Sequence, residues 1–98
     1  MANSSLSTTN FTICQVEGNI VSNMNGETVM LSIQNGKYYN FGETGGAIWD
    51  LLKKPISFSA LIEALILQYQ VDREECEKQV LSFLDSLKKE NLIIVNFY

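Results

Sequence analysis

Asp72, Glu74, Glu75 and Glu77 are the densest group of side chains able to do chemistry in this sequence. Paired acids can trade protons or hold Ca²⁺, but no loop of alternating oxygen ligands accompanies them. In the first turn of a helix such acids favour the positive end of the dipole, and they could also meet a basic partner segment. Cys14 and Cys76 stand far apart, form no CxxC pair and lack the two further Cys or His ligands of a zinc site. A disulfide between them is geometrically open, but small buried thiols in a reduced cytoplasm are the better reading. The absence of histidine removes imidazole acid–base schemes and the commonest metal ligand. The run Gly42-Glu43-Thr44-Gly45-Gly46 leads from a strand into a helix, as a phosphate cradle does. No Lys or Arg lies between Lys37 and Lys53 to complete one. These glycines fit a tight turn and close helix packing instead. Without a GxGxxG, Walker, HExxH or GxSxG pattern, no catalytic residue, metal or cofactor is expected, and the chain reads as a non-enzyme.

Recognition is the chemistry that remains, and it depends on which elements the chain builds. Ninety-eight residues, 46% of them hydrophobic, suit one globular domain, expected over 11–98. Residues 1–10, rich in Ser, Thr and Asn, read as a disordered tail. Seven basic residues against eleven acidic ones give a net charge of −4, which disfavours nucleic acid and anionic membrane surfaces as partners. Neither a secretory signal nor an apolar run long enough to span a bilayer is present, so a cytoplasmic location is expected.

Phe11 to Val16 alternates apolar and polar residues as a strand does; Ile20-Val21 either continues it or begins a second short one. Asn25-Gly26 and Asn35-Gly36 are turn pairs that bracket the β-branched run Thr28–Ile33, and Tyr38–Phe41 follows as a third strand. This predicts an antiparallel three-stranded meander. Ala47, Ile48, Leu51 and Leu52 then form one face of a first helix, with Trp49 on its flank, Lys53 and Lys54 in its last turn and Pro55 ending it. Ser57 or Ser59 caps a second helix through Tyr69, apolar over most of its circumference and expected to be well buried. Asp72 opens a third helix carrying the stripe Cys76, Val80, Phe83, Leu84 and Leu87. Asn91 suits a left-handed helix end, and Leu92–Val95 reads as a short terminal strand or a packed extension. Strands followed by helices predict an α+β fold resembling a winged helix-turn-helix: an N-terminal three-stranded antiparallel β-meander, then three α-helices.

A DNA-reading winged helix would put cations on the third helix. Here Asp72, Glu74, Glu75, Glu77, Asp85 and Glu90 outnumber Arg73, Lys78, Lys88 and Lys89. A peptide partner fits better. Lys37–Phe41 ends the meander with one edge unpaired, so another chain can add there as a strand, and the same edge allows a homodimer. Tyr38 and Tyr39 point to opposite faces; either one stands by a groove beside the third helix, or both are simply packed aromatics. Leu81, off the main stripe, either faces that groove or is an incidental exposed leucine.

The stretch from Tyr38 to Leu52, YYNFGETGGAIWDLL, closely resembles the PqqD-like family of leader-peptide recognition domains, known as RiPP recognition elements. The likeness continues through Tyr69-Gln70-Val71, through Val80, Phe83, Leu84 and Leu87, and through Asn91-Leu92-Ile93, covering residues 20–95. Gly42 replaces the family's usual helix-capping Asn, and Asn91 its usual Gly; both can take the backbone conformations required. The length and wording are most similar to stand-alone lasso-peptide B1 proteins. What the resemblance implies is an adaptor that binds the leader peptide of a ribosomally made precursor by strand addition. The matching strand positions are Lys37, Tyr38, Tyr39, Asn40 and Phe41; those on the helix are Val80, Leu81, Phe83, Leu84 and Leu87. It further implies delivery of the precursor to a leader peptidase (B2) and an ATP-dependent cyclase (C). A winged-helix transcription regulator and a PqqD-type chaperone of quinone-cofactor synthesis are the alternatives.

Overall fold

The computed structural model describes residues 11–97; the expected disordered tail, residues 1–10, lies outside them. The elements run β1 (Phe11–Gln15), β2 (Asn19–Met24), β3 (Glu27–Ser32), β4 (Lys37–Phe41), α1 (Gly42–Leu51), β5 (Ile56–Ser57), α2 (Phe58–Tyr69), α3 (Arg73–Lys89) and β6 (Ile93–Phe97). The fold is α+β, with two antiparallel three-stranded sheets ordered β2-β3-β4 and β5-β1-β6. The meander exists, and its turns follow the local chemistry. Asn25 and Gly26 both take positive φ, 56° and 82°, in a two-residue hairpin that pairs Met24 with Glu27.

The first strand of the meander is β2, not Phe11–Val16. β1 instead pairs along its whole length with β6, from Phe11 opposite Phe97 to Gln15 opposite Ile93. Gly18, at φ 96°, separates β1 from β2. The inward residues of β1, Phe11 and Ile13, are buried and join Ile93 in the core. Of the expected Leu92–Val95, Ile93 onward is strand and continues to Phe97, with Leu92 in the turn before it, and Ile20-Val21 belongs to a separate strand.

Two helix expectations need correction. α1 stops at Leu51, where Leu52 N–H bonds back to the Trp49 carbonyl, so Lys53 and Lys54 lie beyond the helix rather than in its last turn. Trp49, expected on the flank of the helix's apolar face, is buried in the core, whereas Leu51 of that face is only partly buried. α2 is capped by Ser57, whose hydroxyl accepts from Ala60 N–H at 3.1 Å. It buries Leu61, Ile62 and Leu65 on the side that meets β1, β5, α1 and α3, and leaves Leu67 80% exposed. α3 begins at Asp72, whose carboxylate accepts from Glu75 N–H, and ends at Asn91 in the left-handed conformation, φ 61°. Leu92 N–H to the Leu87 carbonyl and Asn91 N–H to that of Lys88 complete a Schellman end, which turns the chain into β6. Among the described residues no helix is long and apolar enough to cross a membrane.

Candidate functional site

β4 is the edge of its sheet. Its residues pair with β3 from Lys37 opposite Ser32 to Asn40 opposite Val29, and among the described residues no strand pairs with its other side. That free edge runs beside α3. Alternation along the strand divides its side chains: Lys37, Tyr39 and Phe41 turn toward α3, while Tyr38, 76% exposed, and Asn40 turn away. Between the two elements lies an open hollow of about 340 Å³ lined by Lys37, Tyr39, Phe41, Phe83, Leu87 and Leu92, with Ser86, Lys89 and Glu90 at its margin.

The floor is aromatic. Phe41 meets Phe83 edge-on at 5.5 Å and tilts against Trp49 at 5.4 Å, and Tyr39 stacks on Phe41 at 6.1 Å. Gly45 makes this possible, since a Cβ there would come within 3.0 Å of Phe41 Cβ and 3.3 Å of Phe83 Cζ. One end of the hollow is closed by a polar clasp. Tyr39 donates its hydroxyl proton to Glu90 Oε1 at 2.5 Å, and Lys37 Nζ reaches the same oxygen at 3.3 Å. Asn35 Nδ2 donates to the Glu90 carbonyl at 2.8 Å and to the Tyr39 hydroxyl at 3.1 Å. The hydrogen bond from Tyr39, followed by the hydrogen bond and charge of Lys37, holds the Glu90 carboxyl below its usual range. The clasp joins the β3–β4 turn to the end of α3, and so fixes the width of the groove at that point.

The hollow therefore gathers Lys37, Tyr39, Phe41, Phe83 and Leu87 from the residues singled out in the sequence. Val80 and Leu84 are core residues, 2% and 5% exposed. Val80 borders a different hollow, between α3 and the other helices. Leu81 lies on the opposite flank of α3, where it lines a third hollow with Leu84, Val95 and Phe97 of β6. Ser86, Lys89, Glu90, Leu92 and Asn35 were not anticipated. Ser86 and Glu90 follow Phe83 at helical spacing, a readable signal. Asn35 reaches Glu90 only through the tertiary fold. Cys14 and Cys76 are both free, and burial, aided by Glu77, pushes the Cys76 thiol up.

A family model described as "Coenzyme PQQ synthesis protein D (PqqD)" matches residues 27–93, more than half of the chain. The chain belongs to the PqqD family. The matched span runs from the start of β3 to the start of β6 and so takes in β4, α3 and the clasp between them. Among solved structures, TbiB1 in complex with the TbiA(beta) leader peptide is similar, at 26% identity and a TM-score of 0.71 over 82% of this chain and 93% of that one. The PqqD truncation of Methylobacterium extorquens PqqCD, solved by NMR as a functional and stand-alone RiPP recognition element, also superposes with a TM-score of 0.71. It covers 85% of this chain and 88% of its own, and at 15% identity it speaks to the fold alone. No curated protein sequence matches the chain.

Proposed function

We propose that this chain is a non-catalytic adaptor that binds the leader peptide of a ribosomally synthesised precursor, of the lasso-peptide class. The peptide adds as a strand to the free edge of β4 and turns alternate side chains into the groove against α3. The carrying observation is that an unpaired strand edge stands directly beside an apolar hollow. Edge N–H and C=O groups offer affinity without sequence demand, while the hollow selects side chains. Family membership and the likeness to TbiB1 with its bound leader support the same reading. On this account the bound precursor is handed to a separate leader peptidase and an ATP-dependent cyclase, and neither activity resides in this chain.

Fluorescence-anisotropy titrations test it, with labelled lasso leader peptides, TbiA(beta) among them, beside an unrelated peptide and duplex DNA. The expectation is saturable micromolar or tighter binding of a leader, about −8 kcal/mol or better. That binding should survive moderate salt and be lost in Tyr39→Asp, with circular dichroism verifying the variant's fold. Salt-sensitive binding of DNA with no leader bound would replace the adaptor by a winged-helix regulator.

A further inference from the structure

α3 carries more than the groove beside β4. Glu75, Gln79, Phe83, Ser86 and Glu90 follow one another at steps of three or four residues, which sets them on one ridge of the helix. The ridge borders two hollows in succession. Toward its C-terminal end is the groove with β4; toward its N-terminal end is a second hollow of about 270 Å³. Ile48 of α1, Leu65 and Tyr69 of α2, and Cys76 and Val80 of α3 line the second hollow, with Val71 from the connection between α2 and α3. Thr44, Gln79 and Glu75 supply its polar margin. Phe41, Gly45 and Phe83 meet at a saddle where the ridge passes from Gln79, on one hollow, to Phe83, on the other.

The charges differ along the ridge. Lys37 and Lys89 border the β4 groove, whereas among the described residues no base lines the second hollow and the Glu75 carboxylate sits on its margin. Among the described residues Glu75 forms no ion pair; its neighbour is Gln79, whose Nε2 donates to it at 3.1 Å. An extended strand advances about 3.3 Å per residue, so a chain leaving the Phe41 end of β4 crosses the saddle within a few residues. We infer that the peptide held on β4 continues past Phe41 into this second hollow, lodging an aliphatic or aromatic side chain there with a basic residue beside it facing Glu75. This rests on strand addition at β4 and adds a second anchor to it. Two anchors on one rigid helix fix the register of the peptide, which a ladder of main-chain bonds alone leaves free to slip by two residues.

The test begins with displayed random 20-residue peptides selected on the full chain. Enriched peptides are then synthesised whole and truncated to the portion that alone still requires Tyr39. Val71→Arg fills the mouth of the second hollow with bulk and positive charge at a residue 43% exposed, where folding is not at stake. The expected result is a loss of about tenfold or more for the whole peptide, the weight of one buried apolar side chain. The truncated peptide should bind wild type and Val71→Arg alike. Equal affinity of whole and truncated peptides for wild type, or an unchanged affinity of the whole peptide for Val71→Arg, overturns the second anchor and leaves strand addition standing. If no enriched peptide is weakened by Tyr39→Asp, strand addition beside that residue is wrong and the second anchor falls with it.

Discussion

At Gly46 a Cβ would sit 2.7 Å from the Cβ of Thr28, and Thr28 is itself buried. The backbone of Gly46 is helical, so alanine would gain about 1 kcal/mol of helix propensity, while overpacking a filled site costs about 1–3 kcal/mol. Because the obstacle is the branch point of a buried side chain rather than a flexible tip, overpacking should win. Gly46→Ala is expected to unfold at lower urea than wild type, and an equal or higher midpoint would show that α1 can shift off β3. The glycine run could be read as a packing device from sequence, since nothing cationic accompanied it. The clasp could not, because Asn35 and Glu90 are distant in the chain and only the fold joins them. Its titration has a definite sign. A carboxyl depressed in the folded state adds stability that is fully present above its ordinary value of 4.5 and is lost as pH falls through its lower folded value. Glu90→Gln should therefore melt below wild type at neutral pH, and the gap should close in acid. A gap independent of pH would mean that the Glu90 charge contributes nothing.

Among the elements, β4 and α3 carry the account. Successive N–H groups along an edge strand point alternately to the neighbouring strand and away from it. Of Tyr38→Pro and Tyr39→Pro, each compared with alanine at the same position, one should lose stability by breaking the ladder to β3. The other should stay folded and lose peptide affinity. Two stably folded proline variants that bind like their alanine controls would rule out strand addition. The Asn-Gly turns made β3 and β4 readable because hairpin chemistry is local. The stripe and both ends of α3 were readable for the same reason. Leu81 was harder: its position on the wheel showed that it left the stripe, but not that β6 rather than β4 lay on that flank.

For the whole molecule, β1 is the strand whose place depends on residues far away in the chain. Phe11–Gln15 reads locally like the start of a meander, and its partner β6 lies at the other end of the chain, where no turn chemistry links them. The pairing brings Phe11 and Ile13 into the core, and among the described residues it leaves β2-β3-β4 with two free edges, of which β4 borders the hollow against α3. Ile13, fully buried in β1, should therefore matter for stability alone. Ile13→Ala is expected to cost about 2–5 kcal/mol while leaving peptide affinity unchanged at temperatures where it is folded; a selective loss of affinity would place the site elsewhere. β2 also exposes Ile20, Val21 and Met24, so it is the natural rival edge. Amide hydrogen exchange, followed by NMR with a leader peptide at saturation, separates the two most directly. With a leader bound, alternate amides of Lys37–Phe41 are expected to slow markedly while those of β2 and β6 exchange as before. Saturable binding that protects β2 or β6 and leaves β4 unchanged would contradict it.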